Sequence, residues 1–417
     1  MRNLPFNFLL LVSVIYWQRC EGYSLDSYNT FYSFMNSTKT FSRDFSWDSL
    51  ITTSKSRYAK TSAYDKLYFM NVNIGVHSNT EGMINVHLHS SELMEGEKIR
   101  RRRHSLFFNS VGQNGISVVN WAKLIRDVDL DHFFLTAEER IDGELTQVYS
   151  DSLSKLTNMI LFRYLTRQYL FGTMIESKSY PDRVVLAIDE VCGIGYDNEM
   201  IRISESGTYL ITLTSCTLKG DSLILLVRTS AGNSYYLKRT RPTKGIETVT
   251  RSFIITVRER DYLTIDILSG SLSSQCNRNS FSIFQLRDTH HISAASTLRT
   301  GIQNTTQLIG FNVKSSGQGI HANFSTNTYH IRSDGLYYIY ISIGQQANYN
   351  VDVSVLVNDK TVFEILRYYS FDTGIDVISG SALLNLRYND VIKVVSHKNA
   401  DFDSTSGMTN LIAFKLN

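Results

Sequence analysis

The side chains in this chain that could do chemistry do not form a recognised catalytic pattern. The sequence contains no nucleophile elbow, phosphate-binding loop, dinucleotide-binding fingerprint or zinc-protease helix motif. Serine, histidine and aspartate are abundant, but a catalytic triad is defined by geometry, so their abundance alone does not indicate one. We therefore predict that the protein is not an enzyme and has no catalytic cofactor.

Two small groups of side chains have donor atoms that suit a metal ion. His87 and His89 lie two residues apart on an apparent strand and share one face, but no third ligand accompanies them, which favours surface histidines. Asp401 and Asp403 lie in a loop before the last apolar stretch and offer the oxygen ligands that calcium prefers. The alternative for the two aspartates is that water alone solvates them. A calcium site at Asp401 and Asp403 is thus the metal hypothesis that the sequence offers.

The strongest local charge feature is a run of four consecutive arginines: Arg100, Arg101, Arg102 and Arg103. The run fits a proprotein-convertase cleavage site, and it also fits contact with a polyanion such as heparin, because guanidinium groups pair well with sulfate and phosphate. A solvated loop is the plainer alternative. The net charge of +3 over 417 residues is nearly neutral, so the composition does not indicate a nucleic-acid partner.

The first 22 residues have the layout of a secretory signal peptide. Arg2 precedes an apolar run, Phe8–Val12, and a short segment ending at Gly22 follows. The apolar run is shorter than the roughly 20 residues that a bilayer requires, and no later segment is long and apolar enough. We predict a signal peptide at residues 1–22, no membrane span, and a secreted, extracellular mature protein.

An extracellular location would allow disulfide formation by the cysteines and N-linked glycosylation at the sequons. Sequons for N-linked glycans occur at Asn36, Asn304 and Asn323. The cysteines that remain after signal removal are Cys192, Cys216 and Cys276. An oxidising compartment favours one disulfide among them and one spare thiol that could link two chains, and the alternative is three buried free thiols.

The elements that position these residues are predicted to be short antiparallel strands in a repeated arrangement. The apolar stretches are β-branched or aromatic and are separated by Gly, Asn, Asp and Ser clusters. An aromatic strand, an apolar strand that ends near an aspartate, and a closing apolar strand recur. The aspartates Asp131, Asp261 and Asp390 lie 130 and 129 residues apart. We predict three repeats, at residues 23–170, 178–290 and 302–417.

The last repeat carries a family resemblance. It has the motif Gly335-Leu336-Tyr337, a Leu-rich strand that ends at Asn389-Asp390, and a closing strand through Phe414. This combination resembles the globular head of complement C1q and its relatives, which share a jelly roll with tumour necrosis factor. The second repeat matches less well, and the first lacks the glycine before its tyrosine. The resemblance implies an all-β fold of tandem jelly-roll (C1q/TNF-like) β-sandwiches whose heads associate in threes.

Three such heads in one chain predict that the polypeptide forms its own pseudo-trimer, and separate heads in a row are the alternative. Along the strand that begins at Gly335, Tyr337 and Ile339 share one face, while Tyr338 and Tyr340 share the other. One face must be core, so Tyr338 and Tyr340 are the candidate contacts between heads. The alternative is that both tyrosines lie partly exposed on the strand.

The resemblance implies recognition of a partner. That partner would be an extracellular protein, a glycan or a cell-surface receptor, in addition to the chain itself as a pseudo-trimer or homo-oligomer. Two other functions stay open. One is a tumour-necrosis-factor-like signalling ligand, which the arginine run favours slightly, and the other is an extracellular structural component held together by the spare thiol.

Overall fold

The computed structural model of this protein is all-β. It describes residues 30–34, 39–40, 49–52, 67–78, 82–93, 99–111, 115–126, 133–139, 147–148, 158–163, 166, 168–176, 182–218, 221–240, 246–272, 279–287, 290–296, 306–346, 351–367, 375–397 and 408–416. Before residue 166, side chains are described at 67–75, 120–124 and 160–162. Within these described ranges every regular element is a strand, and all strand pairs are antiparallel, as the jelly-roll prediction requires.

The first strand group contains ten strands in the part of the chain that the structure describes. They are β1 Thr30–Phe34, β2 Lys39–Thr40, β3 Ser49–Thr52, β4 Leu67–Ser78, β5 Gly82–Leu93, β6 Ile99–Val111, β7 Gly115–Arg126, β8 Phe133–Glu139, β9 Gln147–Val148 and β10 Asn158–Arg163. One sheet has the order β7-β4-β10-β1-β3, with β9 between β4 and β2, and the other has the order β6-β5-β8.

The second strand group also has ten strands among its described residues. They are β11 Tyr169–Glu176, β12 Val184–Cys192, β13 Ile194–Asp197, β14 Met200–Ile203, β15 Gly207–Leu218, β16 Ser222–Thr229, β17 Ser234–Thr240, β18 Ile246–Val257, β19 Tyr262–Ser269 and β20 Ser280–Leu286. Two five-stranded sheets, β12-β11-β20-β15-β18 and β13-β14-β19-β16-β17, pack face to face. Buried residues of both sheets, such as Ile211 and Leu225, form one core, so this group is a sandwich.

The third strand group contains the remaining strands. They are β21 His291–Ala295, β22 Gln307–Leu308, β23 Asn312–Ser316, β24 Ile320–Asn323, β25 Thr328–Ile331, β26 Gly335–Gln346, β27 Val351–Val357, β28 Lys360–Arg367, β29 Ile375–Leu386, β30 Val391–Ser396 and β31 Asn410–Leu416. The sheet β23-β21-β31-β26-β29 packs on β24-β25-β30-β27-β28 around a second core. The latter sheet continues into the first group, because Arg367 of β28 pairs with Ser117 of β7.

The tyrosine that recurs near the start of the central strands has a structural role. The hydroxyl of Tyr337 donates to the backbone carbonyl of Ser333 at 2.8 Å, and the hydroxyl of Tyr209 donates to that of Glu205 at the same distance. Each bond fixes the turn that leads into a long central strand. Because burial disfavours the tyrosinate, the pKa of Tyr209 is raised to about 12.

Two of the recurring aspartates, Asp261 and Asp390, hold turns. Asp390 accepts hydrogen bonds from the backbone N–H of Arg387 and from the side-chain amide of Asn358, each at 2.7 Å. Asp261 accepts equivalent bonds from the Arg258 N–H and the Ser230 hydroxyl, also at 2.7 Å. The Arg258 N–H is the main cause of the lowered pKa of Asp261. The preceding residue has a positive φ in both turns, 71° at Arg260 and 70° at Asn389. Asp131 lies outside the described residues.

Candidate functional site

Strand register makes positions in the three groups directly comparable. In the paired central strands, Tyr68 lies opposite Ile125, Tyr209 opposite Ile255, and Tyr337 opposite Leu384. Residues at the same distance along the strand from these tyrosines occupy equivalent positions in the three groups. Phe69, Leu210 and Tyr338 are one such set, and their partners on the neighbouring strand, Phe162, Phe284 and Phe414, are another.

These equivalent residues meet in one buried cluster, which we call the central junction. The junction takes its residues from all three strand groups; its members are Leu67, Phe69, Ala122, Leu124, Ile160, Phe162, Tyr169, Phe171, Leu210, Ile254, Phe284, Leu286, Tyr338, Tyr340, Leu383, Ile412, Phe414 and Leu416. The ring of Phe69 lies 5.6 Å from that of Phe284 and 5.7 Å from that of Tyr338, measured between centroids. Aromatic rings at these separations attract each other beyond the gain from buried area.

A polar layer lies beside the aromatic one and also links all three groups. The side-chain amide of Asn73 donates to the Ser381 hydroxyl at 3.0 Å, which joins the first group to the third. The Ser379 hydroxyl donates to the Thr250 carbonyl at 3.2 Å, which joins the third to the second. The Thr250 hydroxyl donates to the Asn120 carbonyl at 2.8 Å, which joins the second to the first. Hydrogen bonds therefore cross all three contacts between groups.

Tyr338 and Tyr340, the candidate contacts between heads, lie in the central junction and have no exposed surface. Tyr338 accepts from the side-chain amide of Asn71 at 3.0 Å. Tyr340 accepts from the backbone N–H of Ser252 and donates to the Thr250 carbonyl, at 3.0 and 3.2 Å. Burial raises the pKa of both phenols, to about 12 for Tyr340. Tyr337 and Ile339 face the opposite way, into the core of the third group.

The basic run lies on a strand. All four of its members belong to β6: Arg100, Arg101, Arg102 and Arg103. In the register with β5 they lie opposite Glu92, Ser91, Ser90 and His89, in that order. The loop that the sequence allowed here is therefore wrong, because the backbone of all four arginines lies on a strand that pairs with β5. Cleavage and polyanion contact stay predictions, and cleavage would have to open a paired strand.

The structure places the backbone of one pair of metal candidates but not their side chains, and it does not describe the other pair. His87 and His89 belong to β5, the strand that pairs with the basic run. Among the residues that the structure describes, no group of three or more His, Cys, Asp or Glu side chains could hold a metal ion. The calcium candidates Asp401 and Asp403 lie outside the described residues.

The cysteines and sequons have different surroundings. Cys216 is buried and disulfide-bonded, whereas Cys192 is a half-buried free thiol. Asn323 ends β24, and its side-chain oxygen accepts bonds from the Ser325 N–H at 3.1 Å and the Ser325 hydroxyl at 2.7 Å. The residues Cys276, Asn36 and Asn304 lie outside the described ones.

One residue that the sequence did not single out is Arg251 of β18. It is 2% exposed and lies between Val249 and Phe253, both of which face the core of the second group. The available signal was a charge that interrupts a period-two apolar alternation. The Arg251 side chain lines a cavity between the second and third groups.

Strand order, sandwich packing and register define the class of this protein as tandem jelly-roll β-sandwiches. Residues 292–412, less than a third of the chain, match the C1q domain family. The resemblance seen in the Gly335-Leu336-Tyr337 and Asn389-Asp390 motifs is therefore confirmed.

Solved structures that are similar to this chain include tumour-necrosis-factor-family ligands. Murine APRIL is 15% identical with a TM-score of 0.26, and the match covers 30% of this chain and 98% of that one. Rabbit GITRL is 11% identical with a TM-score of 0.22, covering 30% of this chain and 94% of that one. No curated protein sequence matches the chain. The described residues contain no helix long and apolar enough to cross a membrane.

Proposed function

We propose that this protein is a secreted, non-enzymatic recognition protein of the C1q type, in which three jelly-roll heads on one chain assemble as an intrachain pseudo-trimer. The observation that carries the proposal is the central junction, where equivalent aromatic or aliphatic residues from each strand group are buried together. C1q and tumour-necrosis-factor domains oligomerise and bind receptors or other proteins, which supports a role in binding. Such domains are typically extracellular and generally lack enzymatic activity.

The proposed heads follow the three repeats of the sequence, with earlier starts for two of them. Strand β11 pairs with β20, and β21 pairs with β31, so we assign β11 to the second head and β21 to the third. The second head then starts near Tyr169 instead of residue 178, and the third near His291 instead of residue 302. The first head keeps the proposed range that begins at residue 23.

Burial inside the chain explains why a single polypeptide suffices. A head that displayed Tyr338, Phe414 and Leu383 to water would expose a large apolar face, which normally marks an association surface. Short connections join the first head to the second, between β10 and β11, and the second to the third, between β20 and β21, so each head is at high effective concentration for the others. The partner-binding surface then lies on the outside of the assembly.

Sedimentation and small-angle scattering of the secreted full chain test this proposal. We expect a compact monomer, because the three copies of the aromatic face are already buried against one another within one chain. An elongated monomer or a stable homotrimer would contradict the pseudo-trimer. Non-reducing electrophoresis of the same sample separates the matrix alternative, since disulfide-linked multimers through Cys192 would favour a structural component.

Partner recognition has its own test. The purified secreted chain is screened against arrays of glycans and receptor ectodomains, and specific binding to one of them is the expected result. A variant with glutamine at all four positions of the basic run distinguishes polyanion contact from recognition by other surfaces; the positions are Arg100, Arg101, Arg102 and Arg103. Persistence of an intact polypeptide after secretion would argue against convertase cleavage within β6.

A further inference from the structure

A cavity of about 270 Å³ lies where β17 and β18 of the second group approach β21, β23 and β31 of the third. Its mouth is formed by the exposed residues Asn233, Ser234 and Thr256, and its inner wall includes the buried residues Arg251 and Asn410. The volume lies just below the range of about 300–1,000 Å³ that is usual for drug-sized ligands. The cavity therefore suits a small molecule that enters from solvent.

The cation in this cavity has no counterpart at the equivalent positions of the other two strand groups. Register places Arg251 opposite Leu213, and the equivalent pairs in the other groups are Trp121 with Val72 and Gly380 with Ile341. At Gly380, an added Cβ would lie 3.1 Å from Cγ1 of Ile365, so apolar packing occupies that place in the third group. The same strand position thus accepts an indole, a guanidinium or a hydrogen atom.

Aromatic packing holds the guanidinium of Arg251 in place. Its central carbon lies 5.9 Å from the centroid of the Phe253 ring, within the range of a cation–π contact. Phe253 in turn stacks on Tyr235 with 4.4 Å between centroids and 5° between ring planes. Burial lowers the pKa of Arg251 to about 10, so the side chain is still a cation at neutral pH.

The rest of the lining suits an anion with an apolar body. None of the described residues that line the cavity is acidic, and hydroxyl groups are supplied by Ser293, Ser315 and Thr256. The hydroxyls of Thr256 and Ser315 lie 3.1 Å apart across the gap between the two groups. Ile254 and Ala294 supply apolar wall. Guanidinium and carboxylate match in geometry, because two parallel N–H donors face two oxygens.

We propose that this cavity binds a small organic carboxylate with an apolar body, whose carboxylate pairs with Arg251 while its body packs against Phe253 and Ile254. The walls come from two strand groups, so the bound ligand contacts both and strengthens their association. The proposal does not depend on which partner the outer surface recognises.

Benzoate is the probe, benzamide is its uncharged analogue, and inorganic sulfate is the anion without an apolar body. We expect benzoate to bind in calorimetry and to raise the Tm of the full chain, and benzamide and sulfate to do neither. In Arg251→Met we expect the Kd for benzoate to rise about thirtyfold or more, since truncating one member of a buried charge pair is costly. Arg202→Gln, which changes an exposed ion pair with Asp197, is the matched control and should bind as the native chain does.

Ser234→Trp provides a second variant that leaves the buried wall intact. Ser234 is exposed at the mouth, so an indole there should block entry and abolish benzoate binding even if Arg251→Met does not fold. No benzoate binding to the native chain, equal binding of benzamide or sulfate, or unchanged binding in Ser234→Trp would overturn the proposal.

Discussion

At the scale of single residues, the polar layer beside the central junction consists of side chains that are buried together with hydrogen-bond partners. Asn120 donates to the side-chain oxygens of Asn71 and Asn73 at 2.7 and 2.5 Å, and Asn71 donates to Tyr338. A buried polar group left without a partner costs roughly 1–3 kcal/mol, so such networks stabilise one arrangement over others. The residues equivalent to Asn71 in the other two groups are Thr212 and Tyr340, which have different hydrogen-bonding groups. A single arrangement of the three groups therefore satisfies these hydrogen bonds.

The buried tyrosines predict a loss of stability at alkaline pH. Burial raises the pKa of Tyr209 and of Tyr340 to about 12, above the ordinary value of 10.0. A raised pKa means that the folded state holds the phenolic proton more tightly than the unfolded state does. This contribution is complete below pH 10 and is lost as pH rises toward 12.

Unfolding free energies from urea denaturation, measured together with tyrosinate absorbance, check this expectation. The free energy of unfolding should fall between pH 10 and 12, and Tyr340→Phe should lessen the fall. An equal fall in the variant would show that other groups are responsible.

Individual residues also show where the sequence was informative. The alternation at Tyr337, Tyr338, Ile339 and Tyr340 assigned one face to core and one to contact, because a strand turns successive side chains to opposite sides. Arg251 was not detected as a candidate, since a charge in an apolar pattern does not reveal whether a cavity accompanies it.

At the scale of elements, turn chemistry connects the strands of each group. Asn358 and Asp359 have positive φ, 50° and 64°, in the tight turn between β27 and β28, which matches the right-handed twist of a hairpin. Asp390 then ties this turn to the one between β29 and β30. The sequence predicted a recurring aspartate, and the geometry of Asp261 and Asp390 shows that these two hold turns.

Removal of the Asp390 carboxylate should loosen both turns. We expect Asp390→Ala to lower the free energy of unfolding by about 1–2 kcal/mol, because two hydrogen bonds to a charged group are lost in a half-buried place. Asp390→Asn keeps the shape and an acceptor oxygen and should lose less. Chemical denaturation of the two variants measures the difference, and equal losses would assign the effect to charge alone.

Two elements escaped assignment from sequence for a physical reason. Strands β11 and β21 pair with strands that follow much later along the chain, such as β20 and β31. A local pattern shows that a segment is apolar, but it does not show which sheet that segment joins. The second and third proposed heads therefore begin earlier than the repeats that the sequence predicts.

At the scale of the whole molecule, three strand groups share one buried junction, and a sheet runs from the third group into the first. Within the described residues, no strand pairing like that of β28 with β7 joins the second group to either of the others, so the assembly is not strictly symmetric. Fold class followed from the sequence because strand patterns and turn residues are local. The differences among the contacts between groups could not be predicted from the sequence, because they depend on which side chains meet across the groups.

A matched pair of tyrosines tests the importance of the junction. Tyr338 is fully buried in it, and Tyr388 is 56% exposed. We expect Tyr338→Ala to lower the free energy of unfolding by about 3–5 kcal/mol, as for other large core residues, and Tyr388→Ala to change it by less than about 0.5 kcal/mol. Urea denaturation of the two purified variants provides the measurement. Equal effects would contradict a buried junction of this kind.

The position of the junction residues along the chain has a consequence for biosynthesis. Phe69 and Phe414 belong to the same buried cluster, so the cluster cannot close until both strands have been made. At roughly 5–20 residues per second, a ribosome needs about 20–70 seconds to pass from one to the other. During that interval the newly made first group presents an unfinished aromatic surface, which makes the nascent chain a natural client for chaperones in the compartment where it folds.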